Sequence, residues 1–150
     1  MADSADVDLA GLGIVQFGFP GELRDQLVGA VLDGSKTSTT GVVADYEHEG
    51  EALPEVGERG VVVDSDERAV AVIETTEVRV APLRDVDLAH ALDEGEGYDS
   101  VAAWRRGHEE FWHSPEMRAA MDDPDFTVDD DTPLVLQRFR LVADLRGTKS

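Results

Sequence analysis

Lys36 is the residue from which a chemical reading of this sequence starts. The chain holds eleven arginines and only two lysines, and the second, Lys149, lies in the polar tail. Lysine is the basic side chain whose pKa can fall far enough for it to act as a base, whereas arginine stays protonated. Lys36 sits in Gly34-Ser35-Lys36-Thr37-Ser38-Thr39-Thr40, where a helix end runs into a stretch dense in hydroxyls. In an extended segment Lys36 and Ser38 face one way and Thr37 and Thr39 the other. A turn at Gly34 or Ser35 would bring Lys36 and Thr39 together. A desolvated lysine can activate a neighbouring hydroxyl as a nucleophile, or it can hold a phosphate as a point charge. The same residues also suit a solvated cap and turn. As part of a polar loop, Lys36 is expected to tolerate replacement at a cost below roughly 0.5 kcal/mol. The leading glycines of a Walker loop are absent.

A second chemical stretch is Asp93-Glu94-Gly95-Glu96-Gly97. Its glycines allow sharp turns and close approach to a ligand. Glu94 or Glu96 can orient the lysine or move a proton, and an ordinary acidic turn has the same composition. A third stretch, Trp104 to Trp112, reads as a helix that turns Trp104, His108 and Phe111 inward. His48, His90, His108 and His113 form no i, i+4 histidine pair of the zinc-helix type, and with no cysteine there is no thiolate metal site. No metal and no cofactor is expected. Tyr46 and Tyr98 are candidates for stacking on a base, and Arg105, Arg106, Arg138 and Arg140 for contacting phosphate.

The elements that must position these groups follow from periodicity. Residues 21–33 read as a helix, with Leu23, Leu27, Val28 and Val31 at helical spacing and Gly34 as its C-terminal cap. Residues 35–40 read as a loop leading into a strand through Val42, Val43 and Tyr46. Residues 60–63 and 69–76 form a hairpin about a turn at 64–68, extended by a short strand at 78–83. Residues 85–93 read as a short helix. Asp99 or Ser100 caps the Trp104 helix, 115–121 adds a turn of helix, and 134–142 is the last strand. The pattern indicates an α+β fold, a small mixed β-barrel of about five to six strands flanked by two to three helices. Residues 1–13 read as a flexible acidic N-terminus, 14–145 as one domain, and 146–150 as a polar C-terminal tail.

Charge narrows the choice of partner. Thirty-three acidic against thirteen basic side chains leave a formal charge of -20. Such a field repels nucleic acid at long range and excludes tight, non-specific DNA binding. RNA binding then rests on a few local phosphate contacts and a shallow salt dependence. With no run of roughly 20 apolar residues, no membrane span is expected. The absence of cysteine and of a signal-peptide pattern fits a cytoplasmic protein.

Four motifs, in this order, resemble the ASCH family, whose domain is PUA-like. Gly34, Lys36 and Thr39 match its Gly-x-Lys-x-x-Thr marker. Residues 72–78, Val-Ile-Glu-Thr-Thr-Glu-Val, resemble its central strand. Residues 94–100 resemble its Glu-Gly-Glu-Gly-Asp-x-Ser signature, with Tyr98 inserted into the usual spacing or replacing its Asp. Residues 104–112 resemble the Trp-x-x-x-His-x-x-Phe-Phe of the longer bacterial members. The resemblance covers about 17–142 and implies a PUA-like barrel with a cleft beside Lys36 that binds single-stranded RNA or a nucleotide. It further implies hydrolysis, ribonuclease-like by analogy with some longer members. The alternatives are amide hydrolysis of acetylated cytidine, as in compact members, and RNA binding without catalysis. The carried-over catalytic residues are Lys36, Thr39 and Glu94, and the binding residues are Lys36, Thr37, Ser38, Tyr46, Glu96, Tyr98 and Arg105. The compact enzymes have an Arg five residues after the lysine, where this chain has Gly41.

Overall fold

The computed structural model describes residues 12–147, so the acidic segment 1–11 and the tail 148–150 with Lys149 lie outside the described residues. The elements in order are β1 (Gly13–Val15), α1 (Glu22–Asp33), β2 (Ser38–Val42), α2 (Val43–Glu49), β3 (Arg59–Val63), β4 (Ala69–Pro82), α3 (Leu88–Asp93), α4 (Val101–Trp112), α5 (Pro115–Ala120) and β5 (Pro133–Asp144). They form one five-stranded sheet of order β1-β3-β4-β5-β2. The α+β class stands. β1 joins β3 in parallel, and every other pair is antiparallel.

The five strands fit the expected sheet, which is not closed among the described residues, and five α-helices accompany it where two to three were expected. β5 sends side chains to both faces of the sheet. Leu134 and Leu136 enter one apolar cluster with Trp104, Trp112 and Met117. Phe139, of opposite parity, enters a second with Phe17, Leu27, Val31 and Ile73. Alternate residues of a strand point to opposite faces, so this sheet is packed on both faces.

Several local expectations are corrected. Ser38, Thr39 and Thr40 belong to a strand, paired with Arg138, Gln137 and Leu136. The strand ends at Val42, opposite Leu134, and Tyr46 is helical. Gly50 closes that helix in the left-handed region at φ 67. Residues 69–82 form one long strand, with a register shift between Thr75 and Glu77 in place of a break. The Ser100 hydroxyl caps α4 by accepting from the Ala103 amide. Gly13 starts β1 and so belongs to the fold.

Candidate active site

The loop 34–37 is bound at both ends, which fixes Lys36. The Lys36 amide donates to the Ala30 carbonyl at the end of α1, and the Thr37 amide donates to the Asp93 carbonyl at the end of α3. Phe139 of β5 donates its amide to the Thr37 carbonyl. The Ser38 hydroxyl, fully buried, donates to the His90 carbonyl at 2.9 Å. Gly95 makes this docking possible. It sits at φ +70, and a Cβ there would lie 2.6 Å from the Ser35 carbonyl oxygen.

Lys36 is only 2% exposed, which overturns its expected place on a solvated loop. Its Nζ donates to the carbonyls of Ser38 at 2.9 Å and Glu94 at 3.3 Å. It also lies 3.7 Å from Glu94 Oε1 and 3.5 Å from Glu96 Oε2. The Phe17 ring covers it, with the centroid 5.5 Å from Nζ. Glu94 is 1% exposed, so the pair is desolvated.

The Glu94 carboxylate gathers a wider set. Thr40 donates its hydroxyl to Oε2 at 2.5 Å. His90 Nε2 lies 2.7 Å from the Thr40 oxygen and 3.1 Å from Glu94 Oε2. Since the Thr40 proton points to the carboxylate, His90 Nε2 must carry a hydrogen to bond that oxygen. On the other side, His108 Nε2 lies 3.1 Å from Glu94 Oε1, and Nδ1 lies 2.9 Å from the Trp104 carbonyl. A carbonyl and a carboxylate only accept, so both nitrogens of His108 carry hydrogen and the ring is an imidazolium. Burial, the largest single effect, opposes that charge, but the hydrogen bond and charge of Glu94, the charge of Glu96 and the Trp104 carbonyl together raise the His108 pKa. Burial likewise opposes the Glu94 charge, yet the His108 and His90 bonds and the Lys36 charge hold its carboxyl well below the usual carboxylate range. Trp104 stacks on His108 with centroids 4.2 Å apart and fixes the ring.

Glu96 behaves oppositely. Burial, reinforced by a hydrogen bond with Glu94, pushes its carboxyl up to about 7. It borders a cleft of about 330 Å³ lined by Leu23, Gln26, Leu27, Gly95, Glu96 and Tyr98. That volume lies at the small end of ligand sites. Oxygen and nitrogen atoms of Glu94, Glu96 and His108 lie within 4.8 Å of one another, as metal ligands would. Here the Lys36 ammonium already supplies the cation between the carboxylates, and a protonated His108 Nε2 has no lone pair to offer a metal.

Of the residues singled out from sequence, Lys36, Glu94 and Glu96 come together, and Glu96 and Tyr98 line the cleft. Thr40, rather than Thr39, meets Glu94, because β2 alternates and puts residues 36, 38 and 40 on one side. Thr37 reaches the Asp93 carbonyl, and Ser38 is structural. Tyr46 packs over Gly41, with Cε2 3.0 Å from where a Cβ would stand, and burial pushes its phenol up to about 12. Arg105 is bound to Glu109 and Asp130, Arg138 to Asp93, and Arg140 to Glu74. The sequence reading turned His108 inward but gave it, His90 and Thr40 no role in the site. The spacing of His90 to Glu94, four residues along a helix, was an available signal.

A buried lysine–carboxylate–hydroxyl cluster thus lies beside a small cleft on a mixed α+β sheet domain. The model of the ASCH domain matches residues 13–143, and the chain belongs to the ASCH domain family, which is associated with RNA binding. A protein of Enterococcus faecalis V583 has a similar structure, with a TM-score of 0.81 and 26% identity over 96% of this chain and 84% of that one. An ASCH domain from Lactobacillus crispatus JV V101 superposes with a TM-score of 0.75 at 26% identity, covering 87% of this chain and 79% of its own. No curated protein gives a significant match. Among the described residues no helix is long and apolar enough to cross a membrane.

Proposed function

We propose that the cleft takes a single nucleoside bearing an acylated amine, and that the Lys36 cluster hydrolyses its amide. The observation that carries this reading is the contact of the Thr40 hydroxyl with Glu94, beside a lysine whose charge is already balanced. Lys36 has two of its donors on carbonyls and the rest facing carboxylates, so it is poorly placed to anchor phosphate. The cleft lining contains no cation, and Arg105, Arg138 and Arg140 are held by acids. A polyanionic strand would find little to grip. A neutral base would find the Tyr98 ring, the Gln26 amide and the Leu23 and Leu27 side chains.

In this reading the Thr40 oxygen attacks the acyl carbon and Glu94 takes its proton. The His90 N–H on that oxygen steadies its developing charge, and the Lys36 ammonium holds Glu94 ionised. Tyr46 packs where a side chain at Gly41 would stand, the position at which the resemblance puts an Arg in the compact members. Incubation of the purified protein with acetylated cytidine, with free cytidine and acetate as the measured products, tests the proposal. Unchanged substrate would overturn it.

The family association with RNA favours a second reading, cleavage or binding of single-stranded RNA. Shortened RNA products in a parallel incubation would support cleavage. A salt slope of one or two phosphate contacts, about -0.7 each, would support binding alone.

A further inference from the structure

We propose that Trp104 is a positioning residue for His90. Its indole N–H and the His90 Nδ1 atom are joined through one internal water, and this link holds His90 in the tautomer that bonds the Thr40 oxygen. The inference rests on the amide-hydrolase reading above, in which the Thr40 oxygen attacks while His90 gives it a hydrogen bond.

Among the described residues three buried side-chain polar atoms lack a hydrogen-bond partner: Arg24 Nε, His90 Nδ1 and Trp104 Nε1. The Arg24 guanidinium has its other nitrogens on the Gly18 and Asp64 carbonyls. The remaining two atoms belong to adjoining rings, with centroids 6.3 Å apart and planes at 78°. Both residues are 0% exposed, so bulk solvent reaches neither. A polar atom left unpaired in such a place is costly, and native proteins rarely leave one so. The two atoms are also opposite in kind. An indole nitrogen only donates. His90 Nε2 already carries the hydrogen that faces Thr40. Lys36 and His108 already place two cations beside Glu94, and a third would add to their repulsion. A neutral His90 ring keeps a lone pair on Nδ1. A water that accepts from the indole and donates to Nδ1 satisfies both atoms, as buried waters between polar groups do.

The backbones on both sides of the link are already tied down. The His90 amide donates to the Asp87 carboxylate and its carbonyl accepts from the Ser38 hydroxyl, each at 2.9 Å. The Trp104 amide donates to the Ser100 carbonyl, and the Trp104 carbonyl faces His108 Nδ1. What is left to set is the hydrogen on the His90 ring. With it on Nε2, that nitrogen bonds the Thr40 oxygen at 2.7 Å and the threonine proton goes to Glu94 Oε2 at 2.5 Å. With it on Nδ1, a bare Nε2 would compete for the Thr40 proton and set its lone pair against Glu94 Oε2 at 3.1 Å. The water would then receive two donors and have its own hydrogens left over. The Trp104 N–H thus favours the tautomer in which Thr40 gives its proton to the carboxylate.

Trp104 has two duties, and they fall on different atoms. Its ring face stacks on His108 and its edge meets Trp112, with centroids 4.2 Å and 6.4 Å away. Its N–H acts on His90. Phenylalanine keeps an aromatic face and lacks the N–H, so one substitution separates packing from positioning.

The test reads the His90 ring by nitrogen NMR on isotope-labelled protein, beside turnover of acetylated cytidine. Wild-type spectra should show hydrogen on His90 Nε2 and a bare Nδ1, and the Trp104 indole proton should contact a long-lived water. Trp104→Phe should mix the two His90 tautomers. It should lower kcat on the order of 10-fold while changing KM less than about twofold, because the link acts on the reacting oxygen and not on the cleft. Trp112→Phe trims the same apolar cluster and should leave the His90 spectrum as in the wild type. A wild-type His90 with hydrogen on Nδ1 would overturn the proposal. So would a Trp104→Phe protein whose His90 spectrum is unchanged, whatever its rate, since Trp104 would then serve packing alone. A wild type with no amide turnover would overturn the hydrolase reading and the catalytic consequence drawn from it, while the spectra still test the link itself. Should Trp104→Phe fail to fold, the wild-type spectra decide, and a Trp104 indole proton without a water contact would overturn the proposal.

Discussion

Glu94 and Glu74 are both glutamates held by two cationic side chains, yet one sits at the centre of the molecule and the other at its edge. Glu74 on β4 accepts from Arg59 at 2.9 Å and from Arg140 at 3.2 Å across the neighbouring strands. Glu94 accepts from His108 and lies beside Lys36 and His90. Both carboxyls are held below the usual range, Glu74 chiefly by the Arg59 hydrogen bond and Glu94 by its partners against the pull of burial. The difference is what replaces a lost partner. Water does so at Glu74, and nothing does at Glu94. Exposed pairs therefore add little stability, whereas a buried charge depends on every group around it. Desolvating several ionisable side chains in one place is costly, and the proposed hydrolase reading gives that cost a use.

The sharpest way to break this contrast is Lys36→Ala. It leaves the Glu94 carboxylate buried beside a void, and the loss should reach about 3–5 kcal/mol in denaturant unfolding. A loss below about 0.5 kcal/mol would restore the solvated-loop picture and dissolve the comparison. Lys36→Arg keeps the charge but brings a planar fork into an enclosed space, and amide turnover should fall on the order of 10²-fold or more even where the variant folds.

Next in size is a pH effect. The folded-state pKa of Glu96 is raised from 4.5 to about 7, so between those values the folded protein keeps a proton that the unfolded chain has lost. Stability from this group should fall as pH rises through that window, by up to roughly 3 kcal/mol. His108, also raised, contributes stability that is full below its unfolded value of 6.5 and is lost as pH climbs through its folded value. Glu94 has the opposite sign. Its contribution is present above 4.5 and disappears as pH falls through its depressed folded value. Unfolding midpoints measured from pH 4 to 9 should decline toward alkaline pH, and Glu96→Gln should flatten the slope.

Gly95→Ala sharpens the comparison sterically. The new methyl meets the Ser35 carbonyl at 2.6 Å in a left-handed backbone. A loss of about 1–3 kcal/mol in thermal unfolding is expected. The smallest effect belongs to the exposed counterpart, where Glu74→Gln should leave the unfolding midpoint indistinguishable from the wild type.

The sequence revealed the site in outline and misplaced its details for physical reasons. The helix before Gly34, the hairpin about residues 64–68 and the Ser100 cap depend on local signals, and all three appear in the structure. The lone lysine and the paired glutamates were legible because their types are chemically rare in that setting. Whether Thr39 or Thr40 faces Glu94 depended on where β2 begins, and a run of hydroxyl residues carries no hydrophobic alternation to mark it. Val43 favoured a longer strand, but Val42 is opposite Leu134 at the start of β5, so the ladder runs out and the chain turns helical. Gly50, at the other end of that helix, was a stop signal that went unused. His90 and His108 acquire their roles from contacts spanning 50 and 14 residues, to Thr40 and Glu94, which no local window contains.

Gly107 deserves a different kind of reading from the other glycines. It lies on α4 beneath the Tyr98 ring, and a Cβ there would run into the Tyr98 hydroxyl. Tyr98 is also a wall of the cleft. The width of that wall is therefore set from behind, by an atom that α4 omits. Replacing Gly107 with alanine would push the ring toward the ligand, and replacing Tyr98 with a smaller side chain would let it retreat. Under the proposed function, a position that need touch no ligand would act as a dial on the size of guest the cleft admits, and selectivity would drift through it while Lys36, Glu94 and Thr40 stay unchanged.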